Sequence, residues 1–270
     1  MKKTILTVFV ASALSLLAGC THYYYAPNSA NIPLFKEKNN FKFKAGYGGD
    51  DYKSGDIQMA YSASRNVGIM VNSFLAGKTE DVEDSYRTGA SHEESGKGSF
   101  IEAGVGYYKP FSRKKVWIFE AYGGVGIGGE YHTYGNLETS KFKLTKYFVQ
   151  PSIGYSSKSG KFEFAVSSRF SGLNLKIKQS NLTPETNQTE KQNVDLIALH
   201  PSSFLWEPSF MIAGGWPNFK FFLQLTSSDN LSNSHLFMDK DNVTFGLKFT
   251  LKNNPGNKSD TKSNYISPFN

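Results

Sequence analysis

The chain has 270 residues, with 30 Lys and Arg against 23 Asp and Glu, and a single cysteine. One cysteine excludes an intramolecular disulfide framework and a cysteine-based metal site. The basic residues are scattered along the sequence rather than clustered, which argues against nucleic acid as a partner.

The N-terminus opens Met1-Lys2-Lys3 and continues in an apolar run from Ile5 to Leu17. A positive start, a short apolar stretch and small residues at its end are the parts of a secretory signal peptide. The run is too short for a spanning helix, which needs about 20 apolar residues. The four residues Leu17-Ala18-Gly19-Cys20 resemble the lipobox of bacterial lipoproteins. That resemblance implies cleavage before Cys20 by the lipoprotein-processing machinery, with residues 1–19 removed. It also implies covalent acyl and diacylglycerol groups on Cys20; no other cofactor is expected. Residues 20–39 then read as a tether with two prolines and no clear period. Tyr23, Tyr24 and Tyr25 are expected in the lipid headgroup layer, which amphipathic rings favour.

From residue 40 the pattern has period two. Phe41, Phe43, Ala45 and Tyr47 alternate with Lys42, Lys44 and Gly46, and the same alternation recurs nine more times up to residue 252. Most segments have the roughly 9 to 11 residues that a tilted strand needs to cross a bilayer. Pro151 and Pro208 fall on the apolar face, and a bulge is expected near each because proline cannot donate to the ladder. The connections alternate in length. Residues 63–66, 109–115, 156–160 and 215–218 are short with turn chemistry, while 77–98, 179–198 and 227–241 are long and polar. Residues 253–270 read as a polar C-terminal tail.

This arrangement resembles the small barrels of bacterial outer membranes, with short turns on one side and long loops on the other. The last alternating segment carries Thr244, Gly246, Phe249 and Leu251 at offsets 0, 2, 5 and 7. That resembles the β-signal read by the outer-membrane insertion machinery. The expected fold is all-β: one antiparallel up-and-down transmembrane β-barrel of about ten strands over residues 40–252. An even strand count returns both termini to the turn side, so the lipid anchor is expected on the periplasmic side of a bacterial outer membrane, with outer-membrane lipid as a partner.

The second face of the strands is rich in glycine and small residues, which suits a crowded lumen better than a solvated wall. It also holds Lys42, Lys44, Arg169, Lys220 and Lys248 against Asp56, Glu102, Glu120, Glu163 and Glu207. Barrels of eight strands are about filled by their own side chains, and unpaired charges in so narrow a space are costly. A cross-linking network is therefore expected, with Arg169 and Lys220 sharing Glu102, Glu120 or Glu207. The stretch Gly123–Gly129 looks like a phosphate-cradling loop, but it lies inside an alternating segment and lacks a following Lys-Ser or Lys-Thr. Catalysis is not expected. Asp50, Asp51, His235 and Asp239 are the rim candidates for a protease, and His132 or His200 with a nearby serine for a lipid hydrolase. No motif surrounds any of them, and no metal site is expected. The functional expectation is a non-enzymatic barrel with a structural, narrow-pore or loop-presenting role, its loop ligand unspecified. A rim enzyme acting on lipid or peptide, and a soluble lipocalin-like periplasmic barrel with an apolar ligand, are the alternatives.

Overall fold

The computed structural model describes residues 22–83, 91–185, 187–232 and 235–252. Cys20, the signal region and the tail 253–270 lie outside the described residues. Among the described residues eleven strands form in chain order: β1 (Asn40–Gly49), β2 (Lys53–Ser62), β3 (Val67–Glu83), β4 (Ser91–Pro110), β5 (Trp117–Thr133), β6 (Thr139–Ser156), β7 (Phe162–Ser180), β8 (Ser202–Gly215), β9 (Phe219–Ser227), the two-residue β10 (Asp229–Asn230) and β11 (Asp241–Lys252). Each long strand pairs antiparallel with its neighbours, and the sheet closes through β8–β9, β9–β11 and β11–β1. This is a closed ten-stranded barrel, with β10 a short addition against β8.

Period-two side chains fix the two faces of the wall. Outward stand Ile57, Leu75, Ile101, Val105, Val125, Ile127, Val149 and Phe221, all well exposed, with Ile127 at 58 % and Leu75 at 61 %. Inward stand the charged and amide residues of the alternate positions, all buried. The outer wall is thus apolar, while the inside mixes these polar groups with buried apolar clusters, one around Phe74, Phe100, Leu144 and Leu173 and another around Met70, Tyr122 and Phe148. A soluble ligand-carrying barrel would not carry so apolar an outer wall.

The sequence-based expectation fails in detail at three places. The β3–β4 ladder continues to Glu83↔Ser91, so most of residues 77–98 is paired backbone rather than loop. Alternating polar residues there leave nothing to oppose the hairpin beyond the apolar belt. Within residues 179–198 a helix, α1 (Gln188–Leu199), buries Val194 and Ile197 at helical spacing. No register shift occurs at either proline. At Pro208 the ladder keeps register, with Trp206↔Asp229 and Ser209↔Thr226 on either side, and leaves the two positions Glu207 and Pro208 unpaired on that side. At Pro151 the pairing likewise resumes in register, from Val149↔Phe170 to Ser152↔Ser167. The one shift falls between Lys141 and Phe142.

The chain before β1 does not remain at the turn end. Residues 22–36 run back through the lumen to the loop end and are buried almost throughout. The expected headgroup position of Tyr23–Tyr25 is therefore corrected. Tyr24 and Tyr25 are fully buried inside the barrel, where inward polar groups can receive the tether's backbone. Leu34 and Asn39 take left-handed backbone angles, φ 56° and 62°, and reverse the chain from the lumen into β1.

Small residues make room inside: a Cβ at Gly154 would lie 2.4 Å from the Leu34 side chain, and glycines elsewhere let the wall's own side chains pack. A Cβ at Gly124 would lie 2.4 Å from the Ala103 carbonyl oxygen and 2.5 Å from the Phe148 ring, whereas one at Gly172 meets nothing within 4 Å. Gly124→Val is therefore expected to abolish the compact, heat-modifiable band of the folded barrel on electrophoresis, and Gly172→Val to retain it.

Candidate functional site in the barrel lumen

Tyr24 donates its amide to the Phe237 carbonyl and Tyr25 accepts from the Asp239 amide (2.9 Å each). Beyond them the extended segment must satisfy its backbone from side chains, and the lumen supplies them. Asn242 donates to the Pro27 carbonyl (2.6 Å), Gln58 to Ser29 (2.7 Å), Gln150 to Asn31 (2.8 Å) and Lys42 to Leu34 (3.0 Å). Lys44 and Gln224 both donate to Ala30 (3.2 and 2.9 Å), and Lys248 donates to Ile32 (3.3 Å). Glu120 accepts from the consecutive amides of Leu34 (3.0 Å) and Phe35 (2.9 Å). The left-handed Leu34 lies between those amides and helps turn both toward one carboxylate.

The tether's own side chains join the charged groups of the wall. Glu102, Glu207, Lys146 and Arg169 form one cluster. Lys146 lies 3.0 Å from Glu207 and 3.6 Å from Glu102, and Arg169 lies 3.5 Å from Glu102. Into it reach the Tyr25 hydroxyl, which donates to Glu207, and Asn28, which donates to Glu102 (3.0 Å) and accepts from Arg169 (2.8 Å). Ser29 donates to Asp56 (2.7 Å), and Asn31 donates to Asn72 (2.7 Å). A second cluster at the turn end gathers Lys42, Lys220 and Lys248 around Glu163, at 3.9, 3.5 and 2.8 Å.

At the loop end the segment is held by aromatic and imidazole groups. His22 meets Glu94 (3.1 Å), which also takes His92 (3.1 Å) and the Gly135 amide (3.2 Å). His132 faces His22 (3.4 Å) and Glu130 (3.4 Å). Burial pushes the Glu94 carboxyl up, but hydrogen bonds from the two histidines outweigh it and hold it at about 2. Asp239 is pushed up to about 6 by burial and by Asp50 and Asp51, against the hydrogen bond from the Tyr52 amide.

All six residues expected in the lumen network (Glu102, Glu120, Arg169, Glu207, Lys220 and Lys248) are buried inside the barrel. Their partners differ from the expectation in two respects. Lys220 lies beside Glu163, and Glu120 serves the tether backbone. Lys146, Tyr25 and Asn28 belong to the network without having been singled out. The parity shared with Phe148 and Gln150 places Lys146 inward, but nothing in residues 22–36 taken alone says that they enter a barrel. In β11, Thr244 is buried and Leu251 is exposed on the outer wall, while Phe249 packs against Phe43 and Phe219. Gly246 sits across from Gly46, where a Cβ would come 2.1 Å from the Ala45 carbonyl oxygen.

Of the rim candidates, Asp50 and Asp51 lie close enough to Asp239 to raise its carboxyl. Asp51 accepts from the Tyr23 hydroxyl (2.8 Å) and Asp239 from the Tyr52 amide (3.0 Å). His235 stacks against His200, ring centroids 6.4 Å apart.

No family model matches the chain, and no curated protein matches it in sequence. Among solved structures, the chain is similar to the outer membrane protease OmpT from Escherichia coli at 8 % identity and a TM-score of 0.44, covering 83 % of this chain and 99 % of that one. It is similar to an outer membrane channel from Pseudomonas putida F1 at 8 % identity and a TM-score of 0.36, covering 86 % and 98 %. The NanC porin follows at 10 % identity and a TM-score of 0.33, covering 78 % and 100 %. These neighbours are outer-membrane barrel proteins; the fold class of the present chain stands on its own closed sheet.

Glu120→Ala strands two buried amides, each costing about 1 to 3 kcal/mol. It should lower the unfolding temperature in detergent by several degrees, whereas Asp195→Ala, in an exposed helical ion pair, should leave it within a degree or so. A carboxyl held below its ordinary value stabilises the fold above that value, and the contribution is lost as pH falls through the lowered one. Protection factors at residues 22–24, corrected for the intrinsic pH dependence of amide exchange, are therefore expected to fall as pH drops from about 4.5 to about 2, and Glu94→Gln should flatten that fall.

Proposed function

We propose that the chain is a lipid-anchored outer-membrane β-barrel, non-enzymatic, whose N-terminal tether closes its own lumen. The observation that carries this reading is the buried passage of residues 22–36, with backbone carbonyls from Pro27 to Leu34 taken up by inward side chains. The segment takes up lumen space between the two charged clusters. A structural, surface-presenting role fits it better than conduction. The apolar outer wall supports placement in a bilayer, since lipid-facing and lumen-facing residues alternate in such barrels.

The same passage bears on the anchor. His22 stands at the loop end, and two residues span at most about 7 Å. An acylated Cys20 would therefore insert in the leaflet on the loop side, not beside the short turns. Maturation calls on the lipoprotein-processing machinery, and insertion on the outer-membrane machinery that reads β11.

An epitope inserted after Thr21 is expected to be detected on intact cells, and a cysteine at Ser159, in a short turn, to need permeabilised cells for labelling. The opposite pattern removes the anchor assignment. Mass spectrometry of the mature N-terminus should find Cys20 first and acylated. In planar bilayers the wild type should be nearly silent, and a variant with residues 23–33 replaced by Gly and Ser should conduct. If the two conduct alike, the tether is not a plug.

A further inference from the structure

One polar feature of the outer wall belongs to neither the belt nor the lumen. Toward the loop end of β4 to β7, Lys97, Lys141, Lys143, Lys176 and Lys178 are all exposed. Two adjacent rows of the sheet bring them together. Lys97, Tyr131, Lys141 and Gln179 are register partners in one row, and Ser99, Gly129, Lys143 and Lys176 in the next. Lys178 is the extra residue where the β6–β7 ladder shifts. Lys143 and Lys176 stand directly opposite each other, an arrangement in which like charges destabilise a sheet. Among the described residues no carboxylate pairs with any of the five; Lys141 covers the Tyr131 ring at 5.4 Å.

Between these lysines the wall is hollow. A groove of about 880 Å³ has Leu75, Gly98, Gly129 and Phe142 among its lining, with Lys97, Lys141 and Lys178 around it. Gly129 keeps it open, since a Cβ there would come 2.9 Å from the Phe142 carbonyl oxygen. Glu130 also lines it, but its carboxylate faces His132. The groove lies directly beyond the exposed apolar residues Ile101 and Ile127 of the same strands. That is the depth at which lysine stems lie along hydrocarbon while their ammonium groups reach the headgroups. Elsewhere around the loop end the exposed lysines, Lys53 and Lys240, stand among carboxylates. Exposed residues at the loop ends of β1, β2, β9 and β11 include Asp50, Asp51, Asp229 and Asp241. The requirement is for anionic charge at one place on the wall, next to an apolar surface.

We propose that this groove binds an anionic lipid of the loop-side leaflet whose head group carries two phosphates, with its acyl chains along the apolar wall below. One phosphate bridges Lys143 and Lys176 and removes their repulsion. The other is held by Lys97, Lys141 and Lys178. The proposal rests on the reading of the barrel as a bilayer-spanning protein.

Native mass spectrometry of the mature, full-length protein released from detergent, titrated with cardiolipin or phosphatidylcholine, tests it. Cardiolipin should bind at least tenfold more tightly than phosphatidylcholine. The double variant Lys143→Gln/Lys176→Gln should lose at least tenfold in cardiolipin affinity while keeping its heat-modifiable band. Lys109→Gln/Lys114→Gln, at the turn end, should bind as the wild type does. Equal retention of the two lipids, or wild-type retention by the double variant, overturns the proposal. Displacement of cardiolipin by inorganic phosphate at equal phosphate concentration also overturns it, in favour of a free-anion site. The membrane reading has its own readout: a protein that stays soluble without detergent and does not float with liposomes has lost that reading whatever its lysines bind.

Discussion

A peptide backbone cannot lie buried with its amides and carbonyls unmet, and the organisation of this barrel follows from that constraint. Fifteen consecutive residues, 22–36, cross the lumen without pairing as a strand. Burying such a segment bare would cost several kcal/mol for each unmet group. The inward faces of β1, β2, β6, β9 and β11 carry lysine and amide side chains that reach its carbonyls, and β5 contributes the carboxylate that takes two of its amides. Charge inside the barrel is therefore more than a set of mutual ion pairs; it is the solvent of the tether.

Seen this way, the two clusters have different tasks. Around Glu102 and Glu207 the wall is knitted to Tyr25 and Asn28, so tether and barrel share one hydrogen-bonded unit. Around Glu163 three lysines converge on one carboxylate, two of them also bonded to tether carbonyls. Breaking the second cluster loosens the turn end, where the chain reverses at Leu34 and Asn39. Breaking the first removes the contacts that hold the middle of the segment to the wall.

Much of the barrel was legible in the sequence because period two is a strong signal when both faces are chemically distinct. Phe41 to Tyr47, Ile57 to Tyr61 and Phe219 to Leu225 each assign their faces without reference to any neighbour. The inward charges followed from the same parity. The helix at 188–199 was masked by its polarity, with only Val194 and Ile197 to mark a buried face. The prolines misled because a missing donor can be absorbed by leaving two successive pairs unmade, in unbroken register, as well as by inserting a residue. The tether was illegible for a deeper reason. Its Asn, Ser and Tyr side chains have no internal period, and their meaning lies entirely in Glu102, Asp56 and Glu207, which are distant in sequence.

The seam of the barrel joins β1 to β11, the first and last strands of the chain. The segment that fills the lumen is covalently continuous with one lip of that seam. A cylinder sealed before the segment was inside would have to thread fifteen residues, three tyrosines included, through a mouth already crowded with lysines. Sealing around a segment already in place needs no threading at all.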